Sequence, residues 1–331
     1  MSRLVPLLTL LATSAMASEP VLPLRPVHTY SIVARDPATG ELGVAVQSHW
    51  FSVGPIVAWA EAGVGAVATQ SFVDPSYGKL GLELMRVGRS APDALKGLLA
   101  ADSGSAVRQV AMIDAQGRVA AHTGERCIVA AGHLVGENFS VQANMMEKDT
   151  VWPAMAKAFR ETKGDLAARM MAALEAAEAA GGDIRGRQSA ALMVVSGKPT
   201  GKPWVDRKFD VRVDDHPKPL EELKRLLTLQ RAYNLMNEGD LALERNDTKA
   251  ALEAYSGAEA LAPGNAEMVF WHAVSLVNVN RVDEALPLLQ KTFKMDPRWR
   301  ELLTRLPKAG LLPEDPKLMA RLTGVGSTGK K

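Results

Sequence analysis

Thr29-Tyr-Ser-Ile-Val-Ala-Arg35, Asp36-Pro-Ala-Thr-Gly40 and Glu41-Leu-Gly-Val-Ala-Val-Gln47 decide how the larger part of this chain is read. The first segment is β-rich and the third alternates around Val44 and Val46. The Pro- and Gly-containing stretch between them is turn chemistry, so the three predict a β-hairpin.

Moving outward, Ile56–Trp59 and Val64–Ser71 read as two more apolar strands, with Gly63 and Gly65 marking a tight turn. Helical spacing follows: Tyr77–Val87 places Leu80, Leu84 and Val87 on one face. Ser90-Ala-Pro-Asp93 is a capping box opening a second helix through Leu95, Leu98 and Leu99. Strands return at Arg108–Ile113 and Arg118–Thr123 around an Asp114-Ala-Gln-Gly117 turn, and again at Phe139–Ala143. Val151–Glu161 and Asp165–Ala180 read as helices, the second stopped by Gly181-Gly182. Ser189–Val195 and Phe209–Val213 are the last strands. Strands grouped before helix pairs disfavour a doubly wound parallel sheet. They predict an α+β fold, a four-layer αββα sandwich of two mostly antiparallel sheets with helices outside each.

Beyond His216 the strands end, and Leu220, Leu223, Leu226 and Leu227 begin a helical run. Ala251 and Ala285, Pro263 and Pro297, Asn246 and Asn280, and Leu252 and Leu286 then recur 34 residues apart. With Gly239, Tyr255 and Ala258 in the first unit, this period resembles that of tetratricopeptide repeats. Trp299–Leu306 would cap them. The expected division is 1–17 signal peptide, 18–28 leader, 29–217 sandwich, 218–230 connecting helix, 231–323 helical repeats and 324–331 disordered tail. Two repeats and a cap are few, so the module is expected to lean on the first domain.

At the start, Arg3, the apolar Leu4–Ala12 and Ala15-Met16-Ala17 make a cleavable signal peptide, and the protein is expected to be periplasmic or secreted. No other apolar run is long enough for a membrane span. Formal net charge is +2, and residues 1–216 hold 22 basic and 22 acidic residues. That balance argues against nucleic acid as a partner. The one cysteine, Cys127, excludes an intramolecular disulfide and reads as a small buried hydrophobe on a strand.

His28-Thr-Tyr-Ser-Ile-Val-Ala-Arg-Asp-Pro37, Gly43-Val-Ala-Val-Gln-Ser48 and Trp59-Ala-Glu-Ala-Gly-Val-Gly-Ala-Val-Ala-Thr-Gln70 carry a family resemblance. So do Asp74-Pro-Ser-Tyr-Gly78, Gly181-Gly-Asp-Ile-Arg-Gly-Arg-Gln-Ser-Ala-Ala191 and Val213-Asp-Asp-His-Pro217. Together they resemble the family called domain of unknown function 1028 over residues 29–230. The resemblance implies an N-terminal nucleophile (Ntn) hydrolase fold, in which the first residue of the mature chain is the nucleophile. Its free α-amine, with a pKa near about 8, takes the side-chain proton.

Thr29 is the first candidate nucleophile and Ser31, of the same strand parity, the second. Thr29 as an ordinary β-former at a strand start is the alternative. An 11-residue leader, Ser18–His28, precedes Thr29, so catalysis requires a cut at His28–Thr29. Lys79 is the first lysine of the mature chain, so the lysine of proteasome-like members has no counterpart near the nucleophile. Polar residues ending apolar strands are the candidate substrate contacts: Gln47, Ser48, Gln70, Gln142 and Asn144, then Arg185, Gln188 and Ser189. They would bind a peptide-like or small amide substrate, or else satisfy buried backbone groups. Asp183 and Arg185 also read as a structural ion pair.

Asp214-Asp215-His216-Pro217 reads as a helix cap rather than a cation site. No metal and no cofactor is expected. The chain is therefore read as an exported Ntn-type amide hydrolase with a repeat module for an envelope protein partner, and with homo-oligomerisation open. A catalytically inactive binding or scaffold protein of the same fold is the alternative.

Overall fold

The computed structural model describes Val27 and residues 29–326. The signal peptide, all of the leader except Val27, and residues 327–331 lie outside them. The N-terminal region is mixed α/β, with strands β1 (Thr29–Arg35) and β2 (Leu42–Ser48), the helical turn α1 (Gly54–Val57), β3 (Ala58–Glu61) and β4 (Gly65–Ser71). Next come helices α2 (Ser76–Arg86) and α3 (Ala91–Ala101), and strands β5 (Arg108–Asp114), β6 (Val119–Thr123), β7 (Gly132–Gly136) and β8 (Phe139–Ala143). Helices α4 (Val151–Glu161) and α5 (Leu166–Ala179) and strands β9 (Ser189–Val195) and β10 (Arg207–Val213) complete it. Six strands form one sheet in the order β10-β9-β2-β1-β8-β7, and four form the other in the order β3-β4-β5-β6. The pairings between these strands are antiparallel.

Strand alternation divides the core. On β1, Tyr30, Ile32 and Ala34 face a cluster containing Met155 and Phe159 of α4 and Met170 and Leu174 of α5. Val33 points the other way, into a cluster with Val44 and Val46 and, from the second sheet, Ala66, Ala68, Ala111 and Ile113. Val67, Val110 and Met112 pack on the opposite face of that second sheet with Leu82, Met85 and Leu95 of α2 and α3. A period of two thus gives the central strands β1, β2, β4 and β5 two buried faces, one toward helices and one toward the other sheet.

Local chemistry sets the helix ends. Ser90 accepts from Asp93 N at 3.1 Å and opens α3, while Asp165 accepts from Ala168 N at 2.7 Å and opens α5. Gly181 and Gly182 have positive φ and end the second helix pair.

Four sequence expectations are corrected. Residues 54–57 form a helical turn, so the third strand starts at Ala58 rather than Ile56. Of the α2 residues expected on one apolar face, Leu84 is partly buried against the core, but Leu80 is 41% and Val87 77% exposed, whereas Tyr77, Gly78, Gly81, Leu82 and Met85 are buried. The cause is close approach. A Cβ at Gly78 would come within 2.4 Å of the Trp59 ring, and one at Gly81 would lie 2.8 Å from Met112. Cys127 is in a turn rather than a strand, though buried as expected. Finally, α6 is capped at Lys218 without a side-chain hydrogen bond; Asp214 instead accepts from Ser52 Oγ at 2.8 Å.

The C-terminal region is predominantly helical: α6 (Pro219–Glu244), α7 (Thr248–Leu261), α8 (Ala266–Asn278), α9 (Val282–Met295), α10 (Arg298–Arg305) and α11 (Pro316–Thr323). The period of 34 recurs in the backbone. Asn246 and Asn280 both hold left-handed φ, at 60° and 62°, just before α7 and α9. Ala251 and Ala285 are both fully buried.

The helical region is anchored on the α/β region by α6. Its Leu223 and Leu227 join the core beneath α5, Arg231 pairs with Asp165 at 2.7 Å, and Asn234 donates to Lys208 O at 3.1 Å. No helix among the described residues is long and apolar enough to cross a membrane.

Candidate functional site

The antiparallel register aligns Thr29 with Ser48 and Ser48 with Ser189, while Asn144 N donates to Thr29 O at 3.2 Å. Four polar residues thereby line one end of the six-stranded sheet across β8, β1, β2 and β9. All four are fully buried. Parity with Val33 turns the Thr29 and Ser31 side chains toward the second sheet, where β4 contributes Gln70 and β5 contributes Gln109.

These side chains form one hydrogen-bonded network. Gln142 Nε2 donates to Ser31 Oγ and Ser31 Oγ donates to Gln70 Oε1, each at 2.6 Å. Gln70 Nε2 donates to Gln109 Oε1 at 2.7 Å and to Thr29 O at 3.1 Å. Asn144 Nδ2 donates to the same Gln109 oxygen at 2.9 Å. Gln109 Nε2 in turn donates to Ala143 O at 2.8 Å and to Thr123 Oγ1 at 2.9 Å. The groups are neutral, so burying them avoids the larger cost of burying charge while every amide keeps partners.

Thr29 Oγ1 donates to Val27 O at 3.0 Å and lies 3.2 Å from Ser48 Oγ. Val27 is itself fully buried and bridges Ser71 of β4, its N–H reaching Ser71 O at 2.5 Å and Ser71 N–H reaching Val27 O at 2.9 Å. The chain entering β1 therefore spans from one sheet to the other directly beside Thr29. No imidazole, amine or carboxylate of a described residue is hydrogen-bonded to Thr29 Oγ1 or Ser31 Oγ. Deprotonating either hydroxyl needs a base from elsewhere, and the backbone nitrogen of Thr29 is one only when no acyl group is attached to it.

The remaining expected site residues divide. Ser189 Oγ donates to Trp50 O at 2.5 Å and accepts from Val53 N at 3.1 Å, fastening the loop after β2. Arg185 pairs with Asp183 at 2.7 Å, and Asp183 also accepts from His49 N at 3.2 Å. The expected ion pair thus sits at the same end of the sheet as Ser48. Gln188 reaches Asp215 at 3.2 Å in an exposed position. Gln47 is not part of the network: on β2 it has the parity of Ala45, toward the helices, and both its amide atoms are buried without a hydrogen-bond partner among the described residues.

Gln109 and Ser140 belong to the network and were missed by sequence reasoning. Gln109 carries the signal that singled out Gln70, a lone amide inside a strand of small and apolar residues. The Cys127 thiol donates to Arg108 O at 3.4 Å, and burial pushes its pKa up, which disfavours the nucleophilic thiolate. Among the described residues no group of three or more His, Cys, Asp or Glu side chains is placed to hold a metal ion.

A buried network of hydroxyls and amides thus lies between two antiparallel sheets. The chain belongs to the Family of unknown function (DUF1028), whose model matches residues 29–223. Among solved structures it is similar to protein SPO2555 from Silicibacter pomeroyi, described as a DUF1028 protein. The two are 32% identical with a TM-score of 0.54, over 60% of this chain and 84% of that one. No curated protein matches.

Proposed function

We propose that the α/β region is a four-layer αββα sandwich of the Ntn-hydrolase type and that Thr29 is its nucleophile once the His28–Thr29 bond is cut. The observation that carries this reading is the position of Thr29. It is the first residue of β1, buried at the end of an inter-sheet amide network, and among the described residues no side-chain base is hydrogen-bonded to its hydroxyl. A liberated α-amine would supply that base. Thr29 Oγ would attack an amide carbonyl, its proton would pass through the amine to the leaving nitrogen, and water would then hydrolyse the ester. Ser48 and Asn144, beside Thr29, are the donors proposed for the developing oxyanion. Ser31 already both donates and accepts inside the network, so it ranks as a support for Thr29. The substrate class is a peptide or small amide.

The signal peptide read at residues 1–17 places this activity in the periplasm or outside the cell. The 34-residue period supports reading the helical region as tetratricopeptide-like repeats that bind a protein partner of the envelope. The test is a comparison of chains beginning at Thr29 and at Ser18 on a panel of acyl-amino-acid anilides. Aniline release only by the former, lost in Thr29→Ala and kept in part by Thr29→Ser, supports the reading; equal rates in all four overturn it.

A second reading, a catalytically silent binding protein, is favoured by one observation. The Val27–Ser71 bridge and the mutually satisfied amides leave Thr29 enclosed. In that reading Thr29→Ala changes stability alone.

A further inference from the structure

Tyr233 and Asp240 of α6, Tyr255 of α7, Glu267 and Trp271 of α8, and Leu311 border a groove of about 430 Å³, far from Thr29 in the fold. Its volume is within the range of ligand sites. Its charges are one-sided: the lining includes two carboxylates and no Lys, Arg or His. Tyrosines fix both carboxylates. Tyr255 Oη donates to Asp240 Oδ1 and Tyr233 Oη donates to Glu267 Oε2, each at 2.6 Å. Among the described residues neither carboxylate is in an ion pair, whereas Glu259, Glu284 and Asp296 of the same region each have a cationic partner. The rest of the lining mixes apolar side chains, Trp271 and the 45% exposed Leu311 among them, with the neutral polar Asn237, Ser275 and Asn278.

We propose that this groove docks an extended segment of a partner protein in which lysine or arginine alternates with aliphatic residues. The cation is taken by Asp240 and Glu267 and the aliphatic side chains lie on Trp271 and Leu311. Long cationic side chains suit such a site because their methylene stems cover apolar surface while the head group reaches a carboxylate. A carboxylate held by a tyrosine hydroxyl is already oriented, so little ordering cost remains on binding. An acidic segment is excluded by like charge. The inference rests on reading the helical region as a partner-binding module and is independent of any reaction at Thr29.

The experiment is fluorescence anisotropy of the full chain with three labelled octapeptides that alternate leucine with lysine, with serine or with glutamate. The expected result is tightest binding of the lysine peptide, by about tenfold over the serine peptide, with none measurable for the glutamate peptide. Asp240→Asn combined with Glu267→Gln should remove the tenfold preference while the circular dichroism spectrum is unchanged. Leu311→Ser should weaken all binding. Equal affinity for the lysine and serine peptides, still lost in Leu311→Ser, overturns the charge assignment and leaves the module reading standing. Binding of no peptide, or binding indifferent to all three substitutions, overturns both.

Discussion

Each amide in the inter-sheet network has its partners, and that bounds what a single residue can do there. Gln109 accepts from both Gln70 and Asn144 and donates to Ala143 O, so it connects three strands of the two sheets. Gln109→Leu would remove one acceptor from each of the Gln70 and Asn144 amide nitrogens, which keep Thr29 O and weaker contacts, at about 1–3 kcal/mol for each hydrogen bond lost. Urea unfolding should show the midpoint lowered accordingly, more than for Ser140→Ala at the edge of the network. Asp102 is a second place where one side chain decides much. Burial alone would raise its pKa, but the Arg108 guanidinium, the Gly104 N–H and the Tyr77 hydroxyl outweigh that and hold it below the usual carboxylate value. A depressed folded-state pKa stabilises above the unfolded value, near about 4, and that contribution disappears as pH falls through the folded value. Stability measured between pH 6 and pH 2 should therefore fall less steeply in Asp102→Asn than in the parent chain. A parallel pair of curves would contradict this.

At the scale of elements, three β-rich or apolar strands were legible to the residue: Thr29–Arg35, Phe139–Ala143 and Ser189–Val195. Helices α3 and α5, which Ser90 and Asp165 cap, were legible as well. The misses have physical causes. Strand β7, Gly132-His-Leu-Val-Gly136, is a half-exposed edge strand, framed by glycines and short of apolar pattern. Helix α2 was read by its leucines, yet it is buried by its glycines, because only a residue without a Cβ lets the helix backbone meet Trp59. Gly78→Ala should thus cost about 1–3 kcal/mol, as overpacking does. Thermal unfolding would register it as a drop in Tm, and an unchanged Tm would refute the close-approach account. Of the network, Gln70, Gln142 and Asn144 were legible as polar interruptions of apolar strands, and Thr29 and Ser31 through the family resemblance. Which of the interruptions meet was not, because parity relative to the partner sheet separates Gln47 from them and brings in Gln109.

For the whole molecule, the two regions are one packing problem. Leu223 and Leu227 of α6 are buried in the core shared with α5, so the helical region borrows apolar burial from the α/β region. Leu227→Ala should cost about 2–5 kcal/mol and split a single unfolding transition into two, observable by calorimetry. A single transition at the parent temperature would mean that the regions are coupled elsewhere. The segment before β1 binds the two sheets together in the same way, through the Val27–Ser71 bridge. The proposed hydrolysis at Thr29 requires the covalent link between this segment and β1 to be cut. The most direct measurement is the intact mass and N-terminal sequence of the protein recovered from the envelope of cells that make it. The account predicts a chain that starts at Thr29; a chain that starts at Ser18, with amide hydrolysis undiminished, would contradict it.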